Sequence, residues 1–220
     1  MNNNVFDIDI SYPNNITTES ELFFLYGIIS SINAKTIVEL GGGTSGICSR
    51  LFLKAQKYNP DAKLFSVDIL EMKKFSERHF TIQKDCGAVT TEDLQNERID
   101  VLFFDCHTVV PQLDFYSKML KNKLIDDDTI LILHDTNLFH EPFASLAKDS
   151  IGNIGYYSEE GYVHQWVERN LVNYFKLHGY DIFSLSTKKE SHNQDHTHLF
   201  GLSVCQKFKP LKPIYLDYPR

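Results

Sequence analysis

A chain of 220 residues suits one large domain, and a hydrophobic content of 42 % with 13 % aromatics excludes disorder. A formal charge of −7 excludes a nucleic-acid backbone as the main ligand, because neutralising phosphates needs a basic face. The amino end has no basic start leading into an apolar run, and no stretch reaches the roughly 20 apolar residues of a bilayer span, so a cytoplasmic protein with no membrane partner is expected. The four cysteines, Cys48, Cys86, Cys106 and Cys205, form no Cys-x-x-Cys pair and lie in apolar stretches, as reduced core thiols do.

Residues 1–16 are polar and are expected to form an N-terminal arm, with residues 17–209 as a single domain and 210–220 as a C-terminal tail. Thr18-Glu-Ser-Glu21 fits a capping box, followed by Leu22, Leu25, Tyr26, Ile29 and Ile32 at helical spacing. Strands are expected at Thr36–Leu40, Lys63–Asp68, Phe80–Lys84, Ile99–Phe104 and Thr129–Leu133. Between them, Ile47, Leu51, Ala55 and Tyr58 mark one helix, and Leu113, Tyr116, Leu120 and Leu124 another, with Pro111 near its first turn. Asp126-Asp-Asp128 reads as a solvated turn. Residues 140–165 show no clear period. Val167, Leu171, Tyr174 and His178 mark a last helix closed by Gly179, and strands follow at Tyr180–Leu185 and Leu199–Val204 with a polar loop between. Strands alternating with helices, several of them apolar throughout, predict a Rossmann-like, doubly wound α/β fold. Its sheet is mostly parallel with a reversed edge strand and helices on both faces, and its ligands lie beyond the strands' carboxyl ends.

Gly41, Gly43 and Gly46 satisfy Gly-x-Gly-x-x-Gly between a strand and a helix, with Thr44 and Ser45 inside the loop. The pattern places a nucleotide or nucleoside at a helix N-terminus. Glu39, two residues earlier, would repel a pyrophosphate and suit a cation. Two unit charges about 4 Å apart interact by about 4 kcal/mol at an effective dielectric of about 20, enough to set the preference. S-adenosylmethionine carries both a sulfonium and an ammonium group. Asp68, followed by Ile69, ends the second strand, where an acid accepts ribose hydroxyls in dehydrogenases and methyltransferases alike. Asp85 with Cys86 either takes the adenine amino group or forms a turn before Gly87.

With Glu39-Leu-Gly-Gly-Gly-Thr-Ser-Gly46 as first motif and Asp68 as second-strand acid, the chain resembles the class I methyltransferase superfamily. Phe103-Phe-Asp-Cys-His107 and Leu131-Ile-Leu-His-Asp-Thr136 are similar to a branch of small-molecule O-methyltransferases with a His-Asp-Thr motif after strand five. Asp105-Cys-His-Thr108 is one residue shorter than that branch's Asp-Gly-Asp-His-x-Tyr and lacks its tyrosine. The resemblance spans about residues 20–140. It implies a seven-stranded sheet, S-adenosylmethionine as cofactor, and Asp105 at the cofactor. It also implies either Mg²⁺ held by Asp105 and Asp135 or, without metal, Asp135 capping the next turn.

Methyl transfer needs an aligned nucleophile and a group to take its proton. His107 and His134 follow strands four and five and are candidate bases; His164, in Gly161-Tyr-Val-His-Gln-Trp166, is a third, in an expected aromatic loop with Tyr156 and Tyr157. His192, Asp195, His196 and His198 read either as a metal tract or as a solvated loop. The expected activity is methyl transfer to a hydroxyl of a small molecule such as a sugar or natural-product intermediate. Transfer to a small amine, an NAD(P)-dependent oxidoreductase and a non-catalytic cofactor-binding subunit are the alternatives. A homodimer is also open.

Overall fold

The computed structural model describes residues 18–136, 146–148, 154–158, 161–164, 167–190 and 197–207. In chain order the first elements are α1 (Glu19–Ile32), β1 (Thr36–Leu40), α2 (Ile47–Ala55), β2 (Lys63–Asp68) and β3 (His79–Gln83). A short 3₁₀ turn (Cys86–Ala88), β4 (Val101–Phe104), α3 (Val109–Lys121) and β5 (Ile130–Leu133) follow. The last are β6 (Leu146–Lys148), β7 (Ile154–Ser158), β8 (Gly161–His164), α4 (Val167–Leu177), β9 (Tyr180–Glu190) and β10 (Thr197–Lys207).

Seven strands form the main sheet in the order β3-β2-β1-β4-β5-β10-β9. The first five pair in parallel; β10 runs antiparallel between β5 and β9. This is the doubly wound fold expected from the strand–helix alternation, and the reversed strand lies one place in from the edge.

Side chains that alternate along the strands feed two cores. Val38, Leu40, Leu102 and Phe104 join α3 (Phe115, Met119) and α4 (Leu171, Phe175) on one face. Ile37, Val101, Phe103 and Ile132 join α1 (Leu22, Leu25, Ile29) and α2 (Leu51, Phe52) on the other. The capping box forms as the sequence predicts: Thr18 caps Glu21, and Glu21 bonds back to the Thr18 N–H at 2.7 Å.

Four expectations change. The buried face of α3 is Gln112, Phe115, Tyr116 and Met119, one step round from the expected stripe, and Leu120 is exposed. Helix α2 ends at Ala55, which leaves Tyr58 in solvent. Residues 146–164, expected to be irregular and to hold an aromatic loop, contain the antiparallel sheet β6-β7-β8. The polar stretch from Thr187 is not wholly loop, for β9 and β10 pair outward to Glu190 with Thr197. Period-two hydrophobicity marks a strand only where one face is buried; an edge hairpin is held by its backbone ladder and tolerates polar residues throughout. No helix among the described residues is long and apolar enough to cross a membrane.

Candidate active site

The carboxyl ends of β1, β2, β4 and β5 meet at one end of the sheet. The ladder continues to the strand tips: the N–H groups of Gly41, Asp105 and His134 donate to the carbonyls of Val67, Leu40 and Phe104 at 2.8, 2.8 and 3.0 Å. Gly41 has φ +90°, and a Cβ there would stand 2.3 Å from the Asp105 carbonyl oxygen, so only glycine lets the two loops approach.

Glu39 lies beneath this loop on the α2 face, fully buried. Its Oε2 accepts hydrogen bonds from the Ser49 and Ser66 hydroxyls. It also lies 3.3 Å from where a Cβ on Gly42 would stand. His79 continues the chain. Its Nδ1 accepts the Phe75 N–H at 3.2 Å, so Nε2 carries the proton and donates to Ser66 Oγ at 2.9 Å. Burial, with Asp105 and Asp68 nearby, outweighs the two serines and lifts the Glu39 carboxyl to about 7. Burial, helped by Lys74, lowers His79 to about 4, which keeps it neutral.

Asp68 accepts the Gly43 N–H at 2.9 Å through one oxygen and the Leu70 N–H at 2.8 Å through the other. The exposed side chain of Ile69 follows it, and Thr44 and Ser45 are exposed on the loop. Helix α2 starts at Gly46 without a side-chain cap. Asp85 is exposed and accepts the Gly87 N–H at 2.8 Å, which is the turn geometry allowed for it. Cys86, at the start of that turn, lies with its Sγ 3.4 Å from Cys106 Sγ.

The tips of β4 and β5 form a charged corner. His134 Nδ1 donates to Asp105 Oδ1 at 3.0 Å and lies 3.4 Å from Asp135 Oδ1. Asp135 is buried, and neither of its carboxylate oxygens has a hydrogen-bond partner. Two corner residues adopt left-handed backbone, His107 at φ 53° and Asp135 at φ 53°. Thr136 is anchored by β10: its N–H donates to the Gly201 carbonyl at 3.1 Å, and its hydroxyl accepts from Ser203 at 2.8 Å.

Two acids missing from the sequence-derived site complete the corner. Glu168, in the first turn of α4, is fully buried and accepts the His107 N–H at 3.0 Å and Gln112 Nε2 at 3.1 Å, and pairs with His107 Nδ1 at 3.3 Å. Glu21, the capping-box acid of α1, holds Oε2 3.7 Å from His134 Nε2. Both are acids on an apolar helical stripe: Glu168 precedes Leu171, Val172 and Phe175, and Glu21 precedes Leu25. An acid at that phase is the signal that could have found them.

Burial lowers the affinity of His107 for its proton, but Glu168, Asp105 and Asp135 outweigh it and raise the ring to about 10. Burial likewise opposes, and Asp135 and Asp105 overcome, for His134, which is held well above its ordinary value. Burial also raises Asp135, to about 6 against the pull of His134. The surrounding carboxylates thus bias both histidines expected as bases toward the protonated form, which donates hydrogen bonds rather than accepting them. His164 falls on β8, and its side chain lies outside the described residues, as do His192, Asp195 and His196. Asp126 is a solvated turn residue in ion pairing with Arg98 at 2.7 Å.

Ligand atoms of Asp105, His134 and Asp135 lie within 4.8 Å of one another. The two unbonded oxygens of Asp135 and the carboxylate-rich donor set fit a hard divalent cation, which prefers oxygen ligands.

No family model and no curated protein sequence matches the chain. Solved structures do. The chain is similar to cofactor-bound Rv0187 from MTB, with TM-score 0.56 and 11 % identity over 93 % of this chain and 86 % of that one. It is similar to an S-adenosylhomocysteine-bound methyltransferase of Podospora anserina, with TM-score 0.54 and 11 % identity over 88 % and 80 % of the two chains. An O-methyltransferase from Bacillus cereus, also in complex with S-adenosylhomocysteine, gives TM-score 0.51 and 13 % identity over 86 % and 82 %. Together with the strand order and the inset reversed strand, these similarities show that the chain has the Rossmann-like fold of the methyltransferases.

Proposed function

We propose that the protein is an S-adenosylmethionine-dependent methyltransferase acting on a hydroxyl of a small molecule. The observation that carries the reading is the buried Glu39 carboxylate directly under the glycine loop. A carboxylate there, ionised above about pH 7 and at lower pH when a cation lies against it, repels a dinucleotide's pyrophosphate and attracts a sulfonium cofactor with its ammonium group. Asp68 would accept the ribose hydroxyls, Ile69 would face the base, and Asp85 and Cys86 would close the adenine end. Gly41, Gly43, Thr44 and Ser45 would line the amino-acid end.

The corner then receives the acceptor. Asp105 and Asp135, with His134 beside them, would hold a magnesium-like divalent ion, which when bound lowers the pKa of an acceptor hydroxyl. His107, pinned by Glu168, would donate a hydrogen bond to the acceptor and hold it in line with the methyl group. His134 would orient Asp105.

Thermal melts with S-adenosylhomocysteine and with NADH test the cofactor. A rise with S-adenosylhomocysteine and none with NADH is expected; a rise with NADH alone overturns the reading. Methyl transfer unchanged by EDTA would remove the metal from it.

A further inference from the structure

We propose that Cys86 and Cys106 are a dithiol that closes to an intramolecular disulfide when the protein meets a low-molecular-weight disulfide, and that this bond weakens the cofactor site. The two Sγ atoms lie 3.4 Å apart. A disulfide bond is about 2.05 Å long, so closure from 3.4 Å is a movement of little more than 1 Å. The pair joins segments far apart in the sheet. Cys86 opens the turn after β3 and Cys106 follows β4, and β2 and β1 lie between those strands. The segments are already held close, since Lys118 of α3 donates to the Gly87 and Val89 carbonyls at 2.7 and 2.9 Å.

The two thiols differ in access. Cys106 is partly exposed and Cys86 is 5 % exposed. Cys106 is therefore the thiol that a small disulfide can reach, although contact with Cys86 and burial hold it well above its ordinary value and slow the exchange. Its thiolate attacks one sulfur of the small disulfide, whose S–S bond breaks and releases one small thiol. The Cys86 thiolate then attacks Cys106 Sγ, expelling the second small thiol. The protein loses two protons and two electrons, and the small disulfide gains them as two thiols. Cys48 packs in the core on the opposite face of the sheet, and Cys205, on the same face as the pair, lies on β10 opposite Leu131.

The effect on the cofactor rests on the proposed methyltransferase reading. Cys106 stands between Asp105 and the left-handed His107, and Cys86 follows Asp85. Drawing the sulfurs together moves the residues assigned to the adenine end and to the charged corner.

The full-length protein is incubated with oxidised glutathione, alkylated and digested with trypsin without reduction. Cleavage after Lys84, Arg98 and Lys118 separates the thiols, so a linked pair of residues 85–98 with 99–118, two hydrogens lighter than their sum, is expected. Glutathione retained on Cys106 without that pair, or linkage to Cys48 or Cys205 instead, overturns the dithiol. Cys86→Ser is expected to stop at the mixed disulfide on Cys106; release of glutathione from that variant would equally overturn it. S-adenosylhomocysteine affinity is then compared before oxidation, after it and after dithiothreitol. A reversible loss of roughly tenfold is expected, within the usual range of coupling between two sites. Unchanged affinity in the cross-linked protein overturns the regulatory half. Failure of the reduced protein to bind S-adenosylhomocysteine would instead defeat the cofactor reading, and the peptide result would still decide the dithiol.

Discussion

Two buried polar groups sit a few residues from each other's loops and are built on opposite plans. Under the glycine loop, Glu39, Ser49, Ser66 and His79 form a chain in which each hydroxyl and ring nitrogen named has a partner. At the tips of β4 and β5, Asp135 is just as buried, yet both of its oxygens lack a hydrogen bond, and its backbone is left-handed. Burying a polar group costs little when it is hydrogen-bonded and a good deal when it is not. The first group is therefore finished as part of the fold, beneath whatever lies on the loop. The second keeps a carboxylate without hydrogen bonds, its charge met by His134 at 3.4 Å, where a ligand's positive charge or protons can also reach it.

The sharpest way to break this contrast is Asp135→Asn. Asp135 has no hydrogen bond but pairs with His134 at 3.4 Å, so its neutralisation is expected to lower the melting temperature only slightly, while methyl transfer to a responsive hydroxylated acceptor falls about a hundredfold or more. A variant that melts much lower with turnover intact would make the corner structural. The opposite profile is expected at Glu39. Glu39→Ala leaves the Ser49 and Ser66 hydroxyls without their acceptor, and urea unfolding is expected to show a loss of about 2 kcal/mol. Glu39→Gln keeps an acceptor oxygen and should cost less. A harmless Glu39→Ala would mean that the chain of hydrogen bonds is not what holds the loop.

The subtlest effect concerns pH. Glu39 is raised from an ordinary 4.5 to about 7, so between those values the folded state holds a proton that the unfolded state lacks. Its contribution is present at the acid end and is lost as pH rises. His79 is lowered from 6.5 to about 4, so its contribution is present at the neutral end and is lost as pH falls. The two oppose each other between 4.5 and 6.5. Relative to wild type, Glu39→Gln should steepen the loss of stability on acidification by up to about 1 kcal/mol per pH unit. His79→Gln should tilt the difference the other way. Denaturation curves at several pH values check both; parallel profiles for all three proteins would contradict the opposition.

The sequence disclosed Glu39 of the first group and Asp105, His107, His134 and Asp135 of the second, but not Ser49, Ser66 and His79, nor Glu168 and Glu21, for a physical reason. Runs such as Thr36–Leu40 and Lys63–Asp68 are apolar enough to name a strand, and Glu39 and Asp68 stand at fixed offsets from the glycines. The corner is assembled by distance. Glu168 and Glu21 look locally like ordinary first-turn acids, whose favourable place near a helix N-terminus already explains them. That they also reach His107 and His134 follows only from how α4 and α1 pack against the sheet. His107 and His134 were legible as residues beyond strand ends, but their charge state was not, because it depends on those two acids. The misphased face of α3 has a similar origin: Gln112 is polar by type, yet it is buried because Glu168 accepts its amide.

Thr136 owes its backbone partner to Gly201 and its hydroxyl partner to Ser203, both on the last strand of the sheet. In folding terms, β9 and β10 pair locally as a hairpin, whereas β10 meets β5 only by closing a long loop, the costlier event. The charged corner therefore cannot be complete in a nascent chain that has made only β1 to β5. Its geometry is the product of docking the final hairpin, and a chain stopped before β10 would carry the glycine loop without a finished place for the acceptor.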